Sequence, residues 1–378
     1  MKRQSLVPRT DWQKRIEAAG MNYHENSDGS SFWDESACYS FSLGEIEALE
    51  NAVAELDAMC LQAVEHVIQR GRWDEWGIPV EYRRFIARSW ETQERTIYGR
   101  FDLWFDGRDI KLLEFNADTP TSLLEASVVQ WNWLEEVFPG GDQWNSIHER
   151  LIEAWQAVKL EIGDTRVVFT SLADGGEDFL TANYLRDTAL QAGISTDYLP
   201  VEQIGWSARL GTFTDLREQP VEAMFKLYPW EWLWSDSFGQ HVPLAPTRWF
   251  EAPWKAILSS KAILVALWDL FPDHPLLLRA SFEPWSDSYA QKPIWGREGA
   301  NTRLMRQGVE LSSASGPYPG PFVFQELREL PRFSNSYPVC GAWLVNGYAC
   351  GMGVREDQKL ITSNTSRFVP HRISEGTE

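Results

Sequence analysis

The chain is short of the residues that thiol and zinc chemistry require. Its four cysteines are Cys38, Cys60, Cys340 and Cys350, and none belongs to a CxxC pair. That pattern disfavours a structural zinc site and makes a reducing cytoplasm the expected home. The six histidines (His24, His66, His148, His241, His274 and His371) are scattered, with no HExxH and no cysteine partner. Zinc hydrolysis and Cys–His catalysis are therefore disfavoured. No GxxxxGK[ST] run occurs, so any triphosphate must be held without a Walker loop. Positive charge is also in deficit: 35 basic against 54 acidic residues leave a net charge of −19, which argues against nucleic-acid and anionic-membrane partners; it would attract a cationic substrate such as a polyamine, although an acidic surface more often serves solubility alone. No apolar run reaches membrane-spanning length, and the basic start MKRQSLVPRTDWQKRIEAAG lacks a signal peptide's apolar centre.

What is abundant is tryptophan, 20 in 378 residues. Core packing explains most tryptophan better than a sugar cleft does. A hydrophobic content of 43% with 24% charged residues is that of a globular chain, and the length fits two or three domains or one large α+β unit.

Periodicity outlines the elements. Ser42 and Glu45 form a capping box before Ile46, Leu49, Val53, Leu56, Cys60, Val64 and Val67, which predicts a helix from 42 to 70 with Gly71 as its stop. Residues 98 to 116 alternate in two runs around Asp106-Gly107, a hairpin signal. Thr121 is expected to cap a following helix. The run TRVVFTS at 165 to 171, a Gly-Gly-Glu loop and a helix to about Gly193 indicate a small α/β subdomain. A strand is expected in 221 to 232 and a helix, capped near Ser259 or Ser260, in 256 to 270. FVFQELREL at 322 to 330 alternates like a strand, Asn346-Gly347 joins two more, and the tail ISEGTE is expected to fray.

The hairpin carries the chemistry. Alternation puts Arg100, Asp102 and Trp104 on one face of the first run, and Leu112, Glu114 and Asn116 on one face of the second. Folding brings two carboxylates beside an amide carbonyl, a hard-oxygen set suited to Mg²⁺, with Arg100 placed for phosphate. The same carboxylates fit a glycosidase acid/base pair, or plain polar residues on a half-wet sheet. Lys261 and Lys292 are two separated lysines able to hold a triphosphate as point charges. The Gly296-Arg297-Glu298-Gly299 turn is able to lay amides over phosphate. Arg355 suits a transferring phosphoryl group, or a salt bridge with Glu356 and Asp357. For each of these the alternative is ordinary surface structure.

RFDLWFDGRDIKLLEFNADTPTSLLEA, SSKAILVALWDLFP, YAQKPIWGREGANTRL, VFQEL and GMGVRED, taken in this order, resemble the motifs of the glutathionylspermidine synthetase family, in particular its stand-alone putative acid–amine ligases. They span roughly residues 98 to 360. The resemblance implies an α+β, ATP-grasp fold with an embedded small pre-ATP-grasp-like α/β subdomain. It divides the chain into a mainly helical segment 1–97, the hairpin and helix 98–164, the small α/β part 165–250, and a nucleotide-binding part 251–378, all within one continuous synthetase-like domain. It implies an ATP- and Mg²⁺-dependent acid–amine ligase acting through an acyl phosphate, on a peptide-like carboxylate and an amine. Asp102, Glu114 and Asn116 match magnesium ligands, with Asp102 also at the nucleotide. Arg100 and Arg355 match catalytic arginines that contact ATP. Lys261 and Lys292 match nucleotide-binding lysines, Glu298 and Gly299 a phosphate-covering loop, and Gln325, Glu326 and Leu327 the adenine segment. Thr119, Thr121 and Glu177 fall at substrate contacts. No counterpart of the amidase domain fused to some members is expected. One departure stands out: where the family has a KTWAWE-like segment, FKLYPWE places Leu227 at the threonine that helps hold glutathione. The ATP half of the site is thus retained while the peptide half is altered. Two other readings predict different behaviour. A non-catalytic ATP-binding scaffold binds nucleotide without releasing ADP, and an acid/base glycoside hydrolase turns over without nucleotide.

Overall fold

The long helix forms as its capping pattern requires. It runs Leu43–Arg70, the Ser42 and Glu45 side chains exchange bonds with each other's amides, and Gly71 closes it at φ 66°. Its buried stripe contains all seven periodic residues together with Ala52, Met59 and Ala63. That stripe packs into a large core with the central sheet and the 255–270 region. The computed structural model describes residues 1–26, 28–173 and 175–374.

The central sheet has five strands in the order Arg367–Val369, Tyr348–Asp357, Tyr337–Val345, Tyr98–Phe105 and Ile110–Asn116, all antiparallel. Its two hairpins are the ones marked by Asp106-Gly107 and Asn346-Gly347. In the first, Asp106 Oδ1 accepts the amides of Arg108 and Asp109, each at 2.9 Å, so the turn spans four residues. In the second, positive φ at Asn346 and Gly347 fits a tight two-residue turn.

The expected alternation breaks at one place. Leu103 pairs with Leu112 while Asp102 pairs with Glu114, so a bulge lies at Leu113. The extra residue turns Leu112 into the core beside Phe115, while Leu113 packs near Trp104 on the site face. Leu112 therefore does not share a face with Glu114 and Asn116, contrary to strict alternation.

A four-stranded parallel sheet, Arg248–Phe250, Ala223–Leu227, Val167–Ser171 and Thr196–Tyr198, with the helix Glu177–Gln191 forms the small α/β unit. A further sheet of Ala280–Ser281, Phe322–Glu326, Tyr289–Pro293, Arg303–Arg306 and Val309–Ser313 stands beside the hairpin. The helix expected over 256 to 270 is two, Lys255–Ser259 and Ile263–Leu270, because Ser260 turns extended and its hydroxyl accepts the Ala262 amide. Residues 1–97 hold more than helices: Lys2–Ser5 pairs with Ala37–Phe41, which in turn pairs with His371–Ile373. Ile373, expected in a frayed tail, thus lies in a strand, whereas residues 375–378 lie outside those described.

A buried pair sets where the hairpin starts. The Glu251 carboxylate accepts the Ile97 and Tyr98 amides, each at 3.0 Å, and Lys255 binds both Glu251 and the Tyr98 carbonyl. Both side chains are almost fully buried, so removing one charge would strand the other, at a cost of about 3–5 kcal/mol. Tryptophan is largely structural, with Trp33, Trp76, Trp133, Trp155, Trp230 and Trp343 all buried.

Candidate active site

The hairpin register brings four polar residues together. Arg100 sits opposite Asn116, and Asp102 opposite Glu114. Arg100 clasps Asp102 through Nε at 2.7 Å and Nη2 at 3.1 Å, and gives Nη1 to the Thr121 carbonyl at 2.7 Å. Its guanidinium also lies 5.6 Å from the Trp343 ring. This packing needs a glycine on the neighbouring strand, because a Cβ on Gly341 would meet Arg100 Cδ at 2.9 Å. The Asn116 amide nitrogen reaches Asp102 at 3.0 Å and Glu114 at 3.3 Å.

Two lysines enter from different elements. Lys261 lies in the break between the two short helices; its Nζ binds the Gly296 carbonyl at 2.6 Å and Glu114 at 3.1 Å. Lys292, on the Tyr289–Pro293 strand, binds the Leu113 carbonyl at 2.9 Å and Gln325 Oε1 at 2.8 Å. Gln325 is held in turn by donating to the Leu112 carbonyl at 3.0 Å. Burial would raise the Glu114 carboxyl, but Lys261 and Lys292 overcome it and hold it at about 2. Burial also pushes the Lys292 ammonium down to about 8, against the pull of Glu114. Asp102 is raised by burial, with Arg100 opposing.

Two cavities meet at this point. The smaller, about 120 Å³, is lined by Lys292, Gln325 and Glu326 together with apolar Leu278, Ala290 and Leu304. The larger cleft, about 380 Å³, is lined by Thr119, Thr121, Glu177, Glu298, Arg297 and Arg355 among others. Asp102, Glu114 and Gly299 line both.

Most of the residues predicted from sequence converge here, with some placed differently. Leu327 does not line the small cavity; it packs behind it, against the cluster of Ala290, Leu304 and Ile361. Thr121 is not the helix cap. The helix begins at Leu123, after Ser122 at φ 65°, and Thr121 instead supplies its carbonyl to Arg100. Arg355 makes no bridge to Glu356, which faces the other side of the strand and is held by Arg3, Tyr39 and Arg367. Arg355 binds the carbonyls of Ser363, Asn364 and Ser366 and faces the large cleft. Leu227 is buried in the core of the small α/β unit; the cleft near it is lined instead by Pro229, Glu231 and Trp232. In the 296–301 loop, Glu298 and Gly299 both take positive φ, and a Cβ on Gly299 would meet the Thr362 carbonyl at 2.4 Å.

Sequence reasoning missed several participants. Arg297 donates to Thr119 Oγ1 and lies 3.7 Å from Glu231. Asp118 is buried against Lys226 at 2.6 Å and accepts the Trp230 amide at 3.0 Å. Ser122 donates to Glu177 at 3.0 Å. Asp118 stands within the motif NADTPTS and Arg297 within the loop motif, so proximity to those motifs was the available signal; their partners lie about 100 to 180 residues away.

The donor set suits a small hard cation. Among the described residues no group of three or more His, Cys, Asp or Glu forms a metal cage. Two carboxylates and one amide are an incomplete set of the kind Mg²⁺ completes with water and substrate phosphate. A half-turn of the Asn116 amide would aim its oxygen where its nitrogen now points, between Asp102 and Glu114.

Comparison with known proteins gives the family. The glutathionylspermidine synthase preATP-grasp family matches residues 3–374. A Haemophilus influenzae protein named "Putative acid–amine ligase" is 41% identical over 98% of this chain and 99% of its own length. Trypanothione synthetase of Crithidia fasciculata is 30% identical over 78% of this chain, and the bifunctional glutathionylspermidine synthetase/amidase of Escherichia coli 27% identical over 88%. The match spans 50% and 58% of those two longer proteins. A glutathione synthetase-like effector from Globodera pallida superposes with a TM-score of 0.62, covering 96% of each chain at 10% identity, a likeness of fold alone. No helix among the described residues is long and apolar enough to cross a membrane. With the family matched almost end to end, and with relatives named for forming carbon–nitrogen bonds, this chain belongs to the glutathionylspermidine synthase preATP-grasp family.

Proposed function

We propose that the protein is an ATP- and Mg²⁺-dependent ligase of ATP-grasp type that joins a peptide-like carboxylate to an amine through an acyl phosphate. The observation that carries this reading is the meeting of the two cavities at Asp102 and Glu114, with Lys292 on one side, Lys261 bound to Glu114, and a polar cleft on the other. In this reading the smaller cavity takes the nucleotide. Its apolar residues face adenine, and Gln325 and the Glu326 segment lie along the ring edge. Lys292 and Lys261 sit where they can neutralise the triphosphate, and the Glu298–Gly299 loop covers it. Asp102, Glu114 and Asn116 would hold Mg²⁺, which supplies charge neutralisation across the phosphates.

The larger cleft takes the acid and the amine. The substrate carboxylate attacks the γ-phosphorus, ADP leaves, and the amine then displaces phosphate from the acyl carbon. Arg100 is fixed by Asp102 and the Thr121 carbonyl before substrate arrives, so it stabilises developing charge without rearranging. Arg355 and the Arg297–Thr119 pair give the acid its counter-charges. The acidic residues Glu177 and Glu231 in the same cleft, within a chain of net charge −19, favour a diamine or polyamine as the second substrate. Closure of the loop at 296–301 would keep water from the acyl phosphate.

The hydrolase reading fares worse. Acid/base hydrolysis calls for two carboxyls but not for the cations around them: Lys261 and Lys292, which hold Glu114 at about 2, are the groups that favour a phosphate ligand instead. The test is ADP release from ATP and Mg²⁺ with panels of acids and amines, with mass spectrometry of the ligated product. Nucleotide-dependent thermal stabilisation without ADP release from any pair would support a scaffold instead, and turnover of glycosides without nucleotide would support the hydrolase.

A further inference from the structure

The amine is the part of the reaction for which the residues above provide no chemistry. An alkylamine enters as an ammonium ion and must lose a proton before it can attack. Arg100, Lys261, Lys292 and Arg355 are cations, and Asp102 and Glu114 are engaged with them. The proton therefore needs another acceptor in the larger cleft.

Beyond Asp118, which is paired with Lys226, Glu177, Asp178, Glu231 and Glu298 are the other carboxylates lining that cleft, and of these Glu177, which bears on Arg100 and Glu298, also bears on a buried carboxylate, Glu125, outside the lining. Glu177 stands at the first turn of the Glu177–Gln191 helix and accepts the Ser122 hydroxyl at 3.0 Å. Three residues after Ser122 comes Glu125, which is 1% exposed. One of its oxygens accepts the Tyr23 hydroxyl at 2.6 Å, and the other, Oε2, is buried without a hydrogen-bond partner. Glu125 opens a π-helical turn, Glu125–Val129, and such turns recur at functional sites. A buried carboxylate oxygen with no donor is expensive and calls for an explanation.

The surroundings supply one. Burial first, and then the charge of Glu177, raise the Glu125 carboxyl to about 7, with Tyr23 and Arg355 opposing. The groups that bear on Glu125 come from separate elements: Tyr23 from the N-terminal segment, Glu177 from its helix and Arg355 from the Tyr348–Asp357 strand. The packed Ile147–Ile162 helix presents His148, which is engaged with Tyr184 and Gln191. The charge of Glu177 thus opposes a charge on the buried Glu125. An ammonium ion docking on Glu177 lets both ionise.

Resting on the ligase reading, we propose that Glu125 is a positioning residue that makes Glu177 the acceptor of the amine's proton. Glu177 meets the ammonium in the cleft, and Glu125 behind it makes uptake of one proton by the pair favourable. The balance is simple. The N–H bond breaks to give its proton to the carboxylate pair, and the nitrogen lone pair forms the C–N bond. The C–O bond to phosphate then breaks, and phosphate leaves with that electron pair and takes the second proton that the nitrogen sheds in becoming an amide. Glu177, a substrate contact in the sequence resemblance, thereby belongs to the amine half of the site.

The test uses the full chain, the acid returned by the ADP screen, and two amines: spermidine, which is an ammonium ion at pH 7, and hydroxylamine, which is already neutral there. With Glu125→Gln, kcat for spermidine at pH 7 should fall about 100-fold, the scale of general-base catalysis, while hydroxylamine changes by less than about 2-fold. Spermidine turnover should recover as pH rises towards 9. Tyr23→Phe removes a donor to the charged carboxylate and should move the spermidine pH limb upwards, giving a second variant if the first fails to fold. Infrared spectroscopy of the wild type should show a protonated-carboxyl band that titrates near neutrality and is missing in Glu125→Gln. Equal losses with both amines, or no loss with either, would overturn the proposal while leaving the ligase reading intact. Absence of ADP release by the wild type with every acid, hydroxylamine included, would overturn both.

Discussion

The two cavities that meet at the hairpin are built in opposite ways. The smaller has apolar Leu278, Ala290 and Leu304 in its lining, and two of its polar groups are held by backbone, Lys292 by the Leu113 carbonyl and Gln325 by the Leu112 carbonyl, while the shared Asp102 and Glu114 are held by side chains. The larger has charges of both signs, many of them fixed by other side chains, such as Arg297 by Thr119 and Glu177 by Ser122. A side chain fixed by backbone keeps its position when neighbouring side chains change. One fixed by another side chain moves with that partner. The smaller cavity is thus built to take one unvarying ligand, and the larger to be altered by substitution, consistent with a family whose named relatives share a reaction class but differ in product.

The largest expected effect falls where the cavities join. Asp102→Ala or Glu114→Ala should lower ADP release by about 100-fold or more, because each removes a group that serves both sides. Unchanged ADP release in either variant would sink the metal assignment. Next, Lys292→Ala should weaken ATP by about 10–100-fold, the loss of one charged contact, with the KM for acid and amine unmoved. The wild-type ammonium titrates at about 8, so ATP affinity, measured calorimetrically, should decline as pH rises through that value and be flat in the variant. On the other side, Arg355→Ala should raise the KM for the acid about 10-fold and leave the ATP affinity alone; an equal loss of both would erase the distinction between the cavities.

The smallest effect is on stability. Glu125 has its folded-state pKa raised from 4.5 to about 7. The folded protein therefore keeps a proton that the unfolded chain gives up, and stability falls as pH rises between those values. Glu125→Gln lacks that penalty. It should be stabilised by about 1–3 kcal/mol at pH 8 and by little at pH 4, read as midpoints of urea unfolding. A variant no more stable than wild type at pH 8 would show that the buried oxygen costs nothing.

The hairpin was legible in sequence because its signals are local. Alternation and a turn dipeptide place Arg100, Asp102, Glu114 and Asn116 on one face without reference to the rest of the chain. The bulge at Leu113 was not legible, since pairing of Leu103 with Leu112 is a register choice driven by burying Leu112 beside Phe115. The split of the 255–270 helix was hidden for a similar reason. An apolar run has helical propensity throughout, and the break at Ser260–Lys261 is held by contacts with Ile294 and Gly296. Thr121 carried a cap's residue type, yet Ser122 adopts the left-handed turn, and the chain enters the helix one residue later.

By itself, then, the sequence determined the polar hairpin, the long capped helix, the small α/β unit and, through the order of its motifs, the family. These rest on periodicity and spacing within a few tens of residues. Tertiary structure alone decided that Lys261 reaches Glu114 from a helix break, that Arg355 turns to the cleft, that Leu227 turns to the core, and that Glu125 stands buried behind Glu177. Those facts depend on segments about 50 to 330 residues apart packing together, and local sequence carries no record of which distant side chain will neutralise, or fail to neutralise, a buried charge.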